Sequence, residues 1–420
     1  MRRHSLTAIL LVLLMLAQKV ALSAEDQGDA STIPATDAPA TAPAAPTPAT
    51  GAVPPTPGVT AAPSGSAPDA DNAGNAADTT KSAEPPAPPT PPPAPERNIA
   101  LVLPLDSKTY SRAADATREG FLAAAEAAKA DNPLPVKVYP SDDSVHSLLD
   151  AYAHAVNEGA SIVIGPITRE GVTALARSGA VTVPTLALNA PDVAVRAPAQ
   201  LLVLSLSLEA EARQMAQLAY GEHHRKAAVV VGTDALAKRM RNAFADEWTR
   251  LGGTPVVDYA ASKDSKLLAA LRSDLRAKGI DAVFLALDTT NARSVRPYLG
   301  NATTYATSRV YRGAADLSTN LDLKGIHFVE MPWLLLQQQP EVQLWPRSKK
   351  SLSVDLERFY ALGVDAFRLS QLMLKNAVHG TNFAGVTGAL TLDQGNFFSR
   401  LLPQASFDDN GQILIGGPMP

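Results

Sequence analysis

The chain has 420 residues, a formal net charge of −4 and no cysteine. Disulfides, thiolate chemistry and cysteine metal sites are therefore excluded, and the charge argues against the basic face of a nucleic-acid binder. The length is too great for one small core and suits more than one lobe.

Arg2, Arg3 and His4 precede an apolar run over residues 6–17, and the small residues Ala21, Ser23 and Ala24 follow. A positive start, an apolar stretch shorter than the ~18 residues of a membrane helix and a small-residue exit predict a cleavable secretory signal over residues 1–24. No later run is long and apolar enough to span a bilayer. The mature protein is expected to be soluble in the periplasm, with no cysteine to accept a lipid anchor. Residues 31–97 hold 18 of the 34 prolines and not one Leu, Phe, Tyr or Trp. Such a segment buries too little apolar surface to offset ordering its backbone, so residues 25–97 read as a disordered linker. Runs such as "PPAPPTPPPAP" favour extended polyproline II. A spacer that reaches across the periplasm and a passive tail both fit this composition.

From residue 98 onward apolar strand-like runs alternate with amphipathic helical stretches. "NIALVLPL" (98–105) is a strand, and the Ala-rich segment 112–129 a helix. "VKVYP" (136–140), "SIVIGP" (161–166) and "VPTLALN" (183–189) continue the beat with helices between them. A second series begins with a helix over 208–220 and "KAAVVVG" (226–232). A helix to residue 251, "TPVVDYA" (254–260), a helix near 265–278, "DAVFLAL" (281–287) and "ATTYATS" (302–308) follow. Alternation of this kind predicts parallel sheets built from right-handed βαβ units, in two doubly wound lobes facing each other across a cleft. In the helix that starts at Ala235, Leu236, Met240, Phe244 and Trp248 recur every four residues and read as a core face. Thr233 or Asp234 caps its start, and Gly252-Gly253 ends it.

Catalytic signatures are missing. The sequence has no Ser-x-x-Lys, no Gly-x-Ser-x-Gly, no phosphate-binding loop of the Walker type and no His-Glu-x-x-His. The seven histidines are scattered without metal-ligand spacing. The reading is a non-enzymatic protein with no cofactor and no metal.

The last third of the chain carries a resemblance. "GIHFVEMPWLL" (325–335), "FYALGVDAFRLSQLMLKNA" (359–377) and "FAGVTGALTLD" (383–393) together resemble the Leu/Ile/Val-binding branch of type I periplasmic binding proteins. That resemblance implies two lobes joined by three crossings, near residues 204–208, 325–332 and 383–390. Lobe 1 would comprise about 98–205 and 330–384, and lobe 2 about 206–329 and 385–415, within a domain over 98–420. Within the superfamily, "IALVLPL", "IVIGPITREGVTAL", "PTLALN", "YATS" and above all "MPWLL" resemble the penicillin-binding protein activator family (LpoA, also called LppC). Its members are outer-membrane lipoproteins that stimulate a class A peptidoglycan synthase, which is the partner the resemblance implies. Two departures stand out: no cysteine for a lipid, and a Pro/Ala linker where longer members have a helical-repeat domain.

Strand-to-helix turns at the carboxyl end of a parallel sheet are where α/β proteins hold ligands. The candidate cleft residues are Ser107, Thr168, Arg169 and Asn189 from the first lobe, with Thr233, Asp288, Thr307 and Ser308 from the second. In amino-acid-binding relatives the loop after "IVIGP" supplies Ser or Thr hydroxyls to a ligand carboxylate. Here Ile167, Thr168, Arg169 and Glu170 follow. Arg169 could clamp a carboxylate through two hydrogen bonds or be held by Glu170 as a surface pair. The segment 331–352, poor in Gly and too long for a simple loop, is the candidate partner surface through Trp345, Arg347, Lys349 and Lys350. Trp333 is assigned to the core. Two functions from different classes follow: a regulator that binds a class A peptidoglycan synthase, or the solute-binding component of an ABC importer for a small polar or amino-acid-like ligand.

Overall fold

All six residues of β1 (Asn98–Leu103) are buried, and their alternation explains the layout of the first lobe. Ile99, Leu101 and Leu103 join one apolar cluster, whereas Ala100 and Val102 join another on the opposite face. Successive side chains point to opposite faces of a sheet, so a strand apolar throughout needs a layer of helices on each side.

The computed structural model describes residues 95–416 apart from residue 133. The secretory signal and the linker up to residue 94 lie outside the described residues. The first lobe continues with α1 (Ser111–Ala127), β2 (Val136–Pro140), α2 (Val145–Asn157), β3 (Ala160–Ile164), α3 (Arg169–Ser178), β4 (Thr185–Ala187) and β5 (Leu201–Val203). Its sheet is parallel throughout, in the order β2-β1-β3-β4-β5. The second lobe comprises α4 (Leu208–Gly221), β6 (Ala227–Val231), α5 (Ala235–Arg250), β7 (Val257–Ala260), α6 (Ser265–Lys278), β8 (Ala282–Ala286), α7 (Thr289–Val295), β9 (Thr303–Ala306) and β10 (Ile326–Val329). Its parallel strands run β7-β6-β8-β9-β10, which repeats the order of the first lobe.

After β10 come two single-turn helices (Pro332–Leu335 and Pro340–Gln343) and the long α8 (Val354–Leu374). The chain ends in β11 (Phe383–Gly385), β12 (Gly388–Leu392), β13 (Phe398–Leu401), β14 (Gln404–Phe407) and β15 (Ile413–Gly416). β11, β12 and β13 form a small antiparallel sheet, and β14 and β15 add an antiparallel edge to the second lobe. The second sheet is thus mixed, where the sequence pattern gave parallel strands only. The chain passes between lobes three times: after β5, after β10, and between β13 and β14. The third passage, expected near residues 383–390, falls at 402–403 because the small sheet comes first.

The Met240–Phe244–Trp248 face of α5 is fully buried, and Phe244 stacks on Phe284 of β8 at 4.5 Å. Asp234 caps this helix through Ala237 N–H at 2.8 Å. α8 docks on α1 by direct backbone approach. A Cβ on Gly120 would lie 2.0 Å from Tyr360 O, and one on Gly363 2.0 Å from Thr117 O. Only glycine permits that separation, so the "ALG" of α8 is a packing requirement.

Candidate functional site

Lobe 1 has the strand order 2-1-3-4-5, in which neighbouring connections leave in opposite directions from β1 and β3. A crevice opens at that switch point. Here it is a pocket of about 340 Å³ lined by the ends of β1 to β4, with Phe359 of α8 as its apolar wall. The turn after β3 shapes it. Gly165 has φ +116°, and a Cβ there would meet Val102 O at 2.0 Å, so the strand end requires glycine. The following Gly165-Pro166 bond is cis.

Three of the eight candidate cleft residues line this pocket: Thr168, Arg169 and Asn189. Each is already engaged. Thr168 Oγ1 accepts from Gly171 N–H at 3.2 Å and caps α3. Asn189 donates to Ile167 O and accepts from Ala190 N–H, both at 2.9 Å. Arg169 donates to Pro191 O at 2.9 Å and lies 3.6 Å from Glu209 of α4, across the lobe boundary. Its carboxylate partner is therefore Glu209 and not the neighbouring Glu170, which is exposed. Glu209 also takes Arg239 at 2.7 Å. Burial alone would raise its pKa, but the hydrogen bond from Arg239 and the two guanidinium charges hold it below the usual carboxylate range. Ser107 is buried beside the pocket, donating to Asp143 and accepting from Tyr110 N–H at 2.7 Å.

The four candidates from the second lobe lie elsewhere. Thr233 lines a separate depression at the ends of β6 and β7, with Arg241 and Asp258. Asp288 caps α7 through Asn291 N–H at 2.8 Å. Thr307 and Ser308 are buried, Thr307 donating to Met240 Sδ at 3.6 Å and Ser308 N–H to Glu211 Oε2 at 2.9 Å.

Between the lobes stands a set of buried charges that the sequence pattern did not flag. Arg358, near the start of α8, reaches into the second lobe and donates to Ser308 O at 2.9 Å and Tyr311 O at 3.2 Å. Its Nε is 3.1 Å from Glu330, a carboxylate 1% exposed. Burial would lower the Arg358 pKa, but the Glu330 charge outweighs it and the guanidinium is held in its charged form. Arg400 of β13 donates to Glu211 of α4 at 2.9 Å and to Thr387 O at 3.0 Å. Burial pushes the Glu211 pKa up, Arg400 opposes the shift and the nearby Glu330 adds to it. Asp365, fully buried in α8, accepts from Val386 N–H at 3.0 Å and from Thr387 N–H and Oγ1 at 2.7 Å. The motifs "GVDAF" and "GVTG" are therefore one structure, a helix carboxylate that folds the hairpin turn beside it. A charged residue inside an otherwise apolar run, as in "HFVEMPW" and "ALGVDAF", is the signal that could have found these sites.

The segment 331–352 is a strap over α1 and α8. Trp333 is fully buried and donates its indole N–H to Glu357 at 2.7 Å. Arg347 lies over its ring at 3.5 Å and donates to its carbonyl at 2.8 Å. Lys350 pairs with Glu119 at 3.1 Å. Trp345 is half-buried with Arg368 5.2 Å from its ring, while its indole N–H is enclosed and unpaired. Leu344 is 73% exposed, and Lys349 beyond it is exposed.

Two lobes of repeated strand order, three crossings and a pocket at the first switch point define a type I periplasmic binding protein fold. The chain belongs to the LppC family, whose model, described as "LppC putative lipoprotein", matches residues 94–409. It is 27% identical over 310 residues to penicillin-binding protein activator LpoA of Serratia proteamaculans, an alignment covering 64% of this chain and 45% of that protein. The chain thus spans about half the length of the curated relatives it matches. Among solved structures, the LpoA C-domain of Haemophilus influenzae, described as a regulator of PBP1A, aligns with TM-score 0.63 and 25% identity over 76% of this chain and all of that one. A Chromobacterium violaceum structure described as a "putative branched-chain amino acid ABC transporter" aligns with TM-score 0.63 and 37% identity, covering 74% of this chain and 99% of that one.

Proposed function

We propose that the protein is a non-enzymatic regulator of peptidoglycan synthesis in the cell envelope that binds and activates a class A penicillin-binding protein. The observation that carries this reading is membership of the LppC family, with relatives named as penicillin-binding protein activators. The site geometry agrees with it. Thr168, Asn189 and Arg169 spend their hydrogen bonds on neighbouring backbone and on Glu209, and Arg358 fills the space between lobes with protein contacts.

We assign the partner surface to the strap, with Trp345, Lys349 and Lys350 presented beside exposed Leu344 and with Arg347 locking the strap to Trp333. The test is polymerisation by a purified class A synthase with and without the full chain. Trp345→Ala should weaken association by about 2 kcal/mol if the ring anchors the partner. Lys349→Glu with Lys350→Glu should chiefly slow association and alter its salt dependence. Melting must be followed in parallel, because lost stability in Trp345→Ala would return that ring to the core. A wild-type chain that neither binds a class A synthase nor changes its rate would overturn the reading.

The 37% identity with a protein described as an amino-acid transporter favours a second reading, a solute-binding component of an ABC importer that uses the first-lobe pocket. A ligand at a hundred times its Kd would add about 2.7 kcal/mol of stability. We expect no such shift with Leu, Ile or Val at millimolar concentration, and a clear one would favour transport.

A further inference from the structure

At the amino ends of β8 and β9 lies a depression of about 690 Å³, far from the carboxyl-end crevice where this fold plan usually holds ligands. Its size falls within the roughly 300–1,000 Å³ of small-molecule sites. Leu275 and Leu299 form a buried floor, and the half-buried Ile280 and Ala302 give an apolar wall.

The opposite wall is cationic. Arg272 and Arg276 stand one turn apart on α6 and have no acidic partner among the described residues, whereas Lys278 on the same helix is paired with Asp274 at 2.7 Å. Asp281 is the single acid lining the depression. Its two oxygens already accept the N–H groups of Arg225 and Lys226, each at 3.0 Å. Asn301 adds a free side-chain amide to the rim. Two unpaired guanidinium groups beside an apolar surface suit a ligand that is anionic at one end only, since each guanidinium offers a planar pair of donors to an oxyanion.

We propose that this depression binds a small molecule with a phosphate or carboxylate head and an apolar body. The head sits between Arg272 and Arg276, and the body lies against Ile280 and Ala302. The site is independent of the activator reading and of the first-lobe pocket.

Calorimetric titration of the full chain at low salt with phenyl phosphate, phenylacetate and inorganic phosphate tests it. At least one aromatic probe should bind saturably and more tightly than inorganic phosphate, and which of the two does so identifies the head group. Arg272→Ala with Arg276→Ala should weaken that binding by about tenfold or more, as expected for lost charge-assisted hydrogen bonds. Melting should stay unchanged, because both side chains are exposed. Lys263→Ala with Lys266→Ala, two other cations near the same helix, should leave binding intact. The proposal is overturned by no saturable binding of either aromatic probe at millimolar concentration or by no gain over inorganic phosphate. Affinity that survives the arginine pair, or falls equally with the lysine pair, overturns it too.

Discussion

In the first lobe the ends of β1 and β3 open on a pocket, whereas in the second the segments after β6 and β9, the strands flanking β8, are bridged by an ion pair. There Asp234, the cap of α5, holds Arg309 at 3.2 Å. The strand order is the same in both sheets. What differs is the side chains after the strands: after β3 "GPITRE" turns back to cap its own helix and leaves room, while after β9 Thr307 and Ser308 fold inward and Arg309 reaches Asp234. Topology places a crevice, and the side chains after each strand decide whether it stays open.

The comparison breaks most severely if the buried charges between the lobes are disturbed. Arg358→Met leaves Glu330, 1% exposed, without its cation. Removing one partner of a buried pair costs roughly 3–5 kcal/mol, and urea unfolding would read the loss. Adding Glu330→Gln should restore part of it, because the stranded charge is the main penalty. A single change that costs nothing would mean the two lobes do not depend on this contact.

Next in size is Gly165→Ala at the first switch point. With φ +116° and Val102 O at 2.0 Å from the new Cβ, the strand end must shift. A loss of about 1–3 kcal/mol is expected. The glycine at the second lobe's switch point, Gly232 after β6, has its nearest atom at 3.2 Å and no positive φ, so Gly232→Ala should cost clearly less by the same assay. Equal losses would remove the distinction between the two ends.

Much of this was legible in the sequence. Eight of the ten parallel strands of the two lobes announce themselves as strand-like runs, β5 and β10 excepted, and the four-residue stripe of α5 reads directly as a core face. β5 is only three residues, and β11 to β15 mix Gly and polar residues, so neither length nor period marks them. The candidate cleft was legible only in its first-lobe half. Thr168, Arg169 and Asn189 sit together because they follow adjacent strands. Thr307 and Ser308 also follow a strand, yet a hydroxyl's direction depends on Met240 and Glu211, which are distant in sequence. Asp355 is a local partner of Arg358, but Glu330, Ser308 and Tyr311 are likewise 28 to 50 residues away, beyond the reach of any local pattern.

The two caps sharpen the comparison at smaller scale. Thr168→Ala removes one hydrogen bond to Gly171 N–H, with an expected cost of about 1 kcal/mol. Asp234→Ala removes the equivalent bond to Ala237 N–H and also frees Arg309. That half-exposed pair adds only some tenths of a kcal/mol. The Asp234 change should therefore exceed the Thr168 change slightly, and the excess alone should shrink in high salt.

The smallest expected effect belongs to the contact that joins the pocket to the other lobe. Arg169 is partly exposed and 3.6 Å from Glu209, so Arg169→Ala should cost well under about 1 kcal/mol at neutral pH. Its pH dependence is more telling than its size. Glu209 has a folded-state pKa below its ordinary value, so its ion pairs stabilise the fold above the usual glutamate range. That contribution is lost as pH falls through the depressed value, when the carboxylate takes up a proton. Arg239 supplies the main hydrogen bond and Arg169 a weaker Coulombic share. Arg239→Ala should therefore flatten the acid limb of the stability curve more than Arg169→Ala. If Arg169→Ala flattened it more, Arg169 would be the principal tie of Glu209, and the first-lobe pocket would be bound to the second lobe more tightly than the geometry gives.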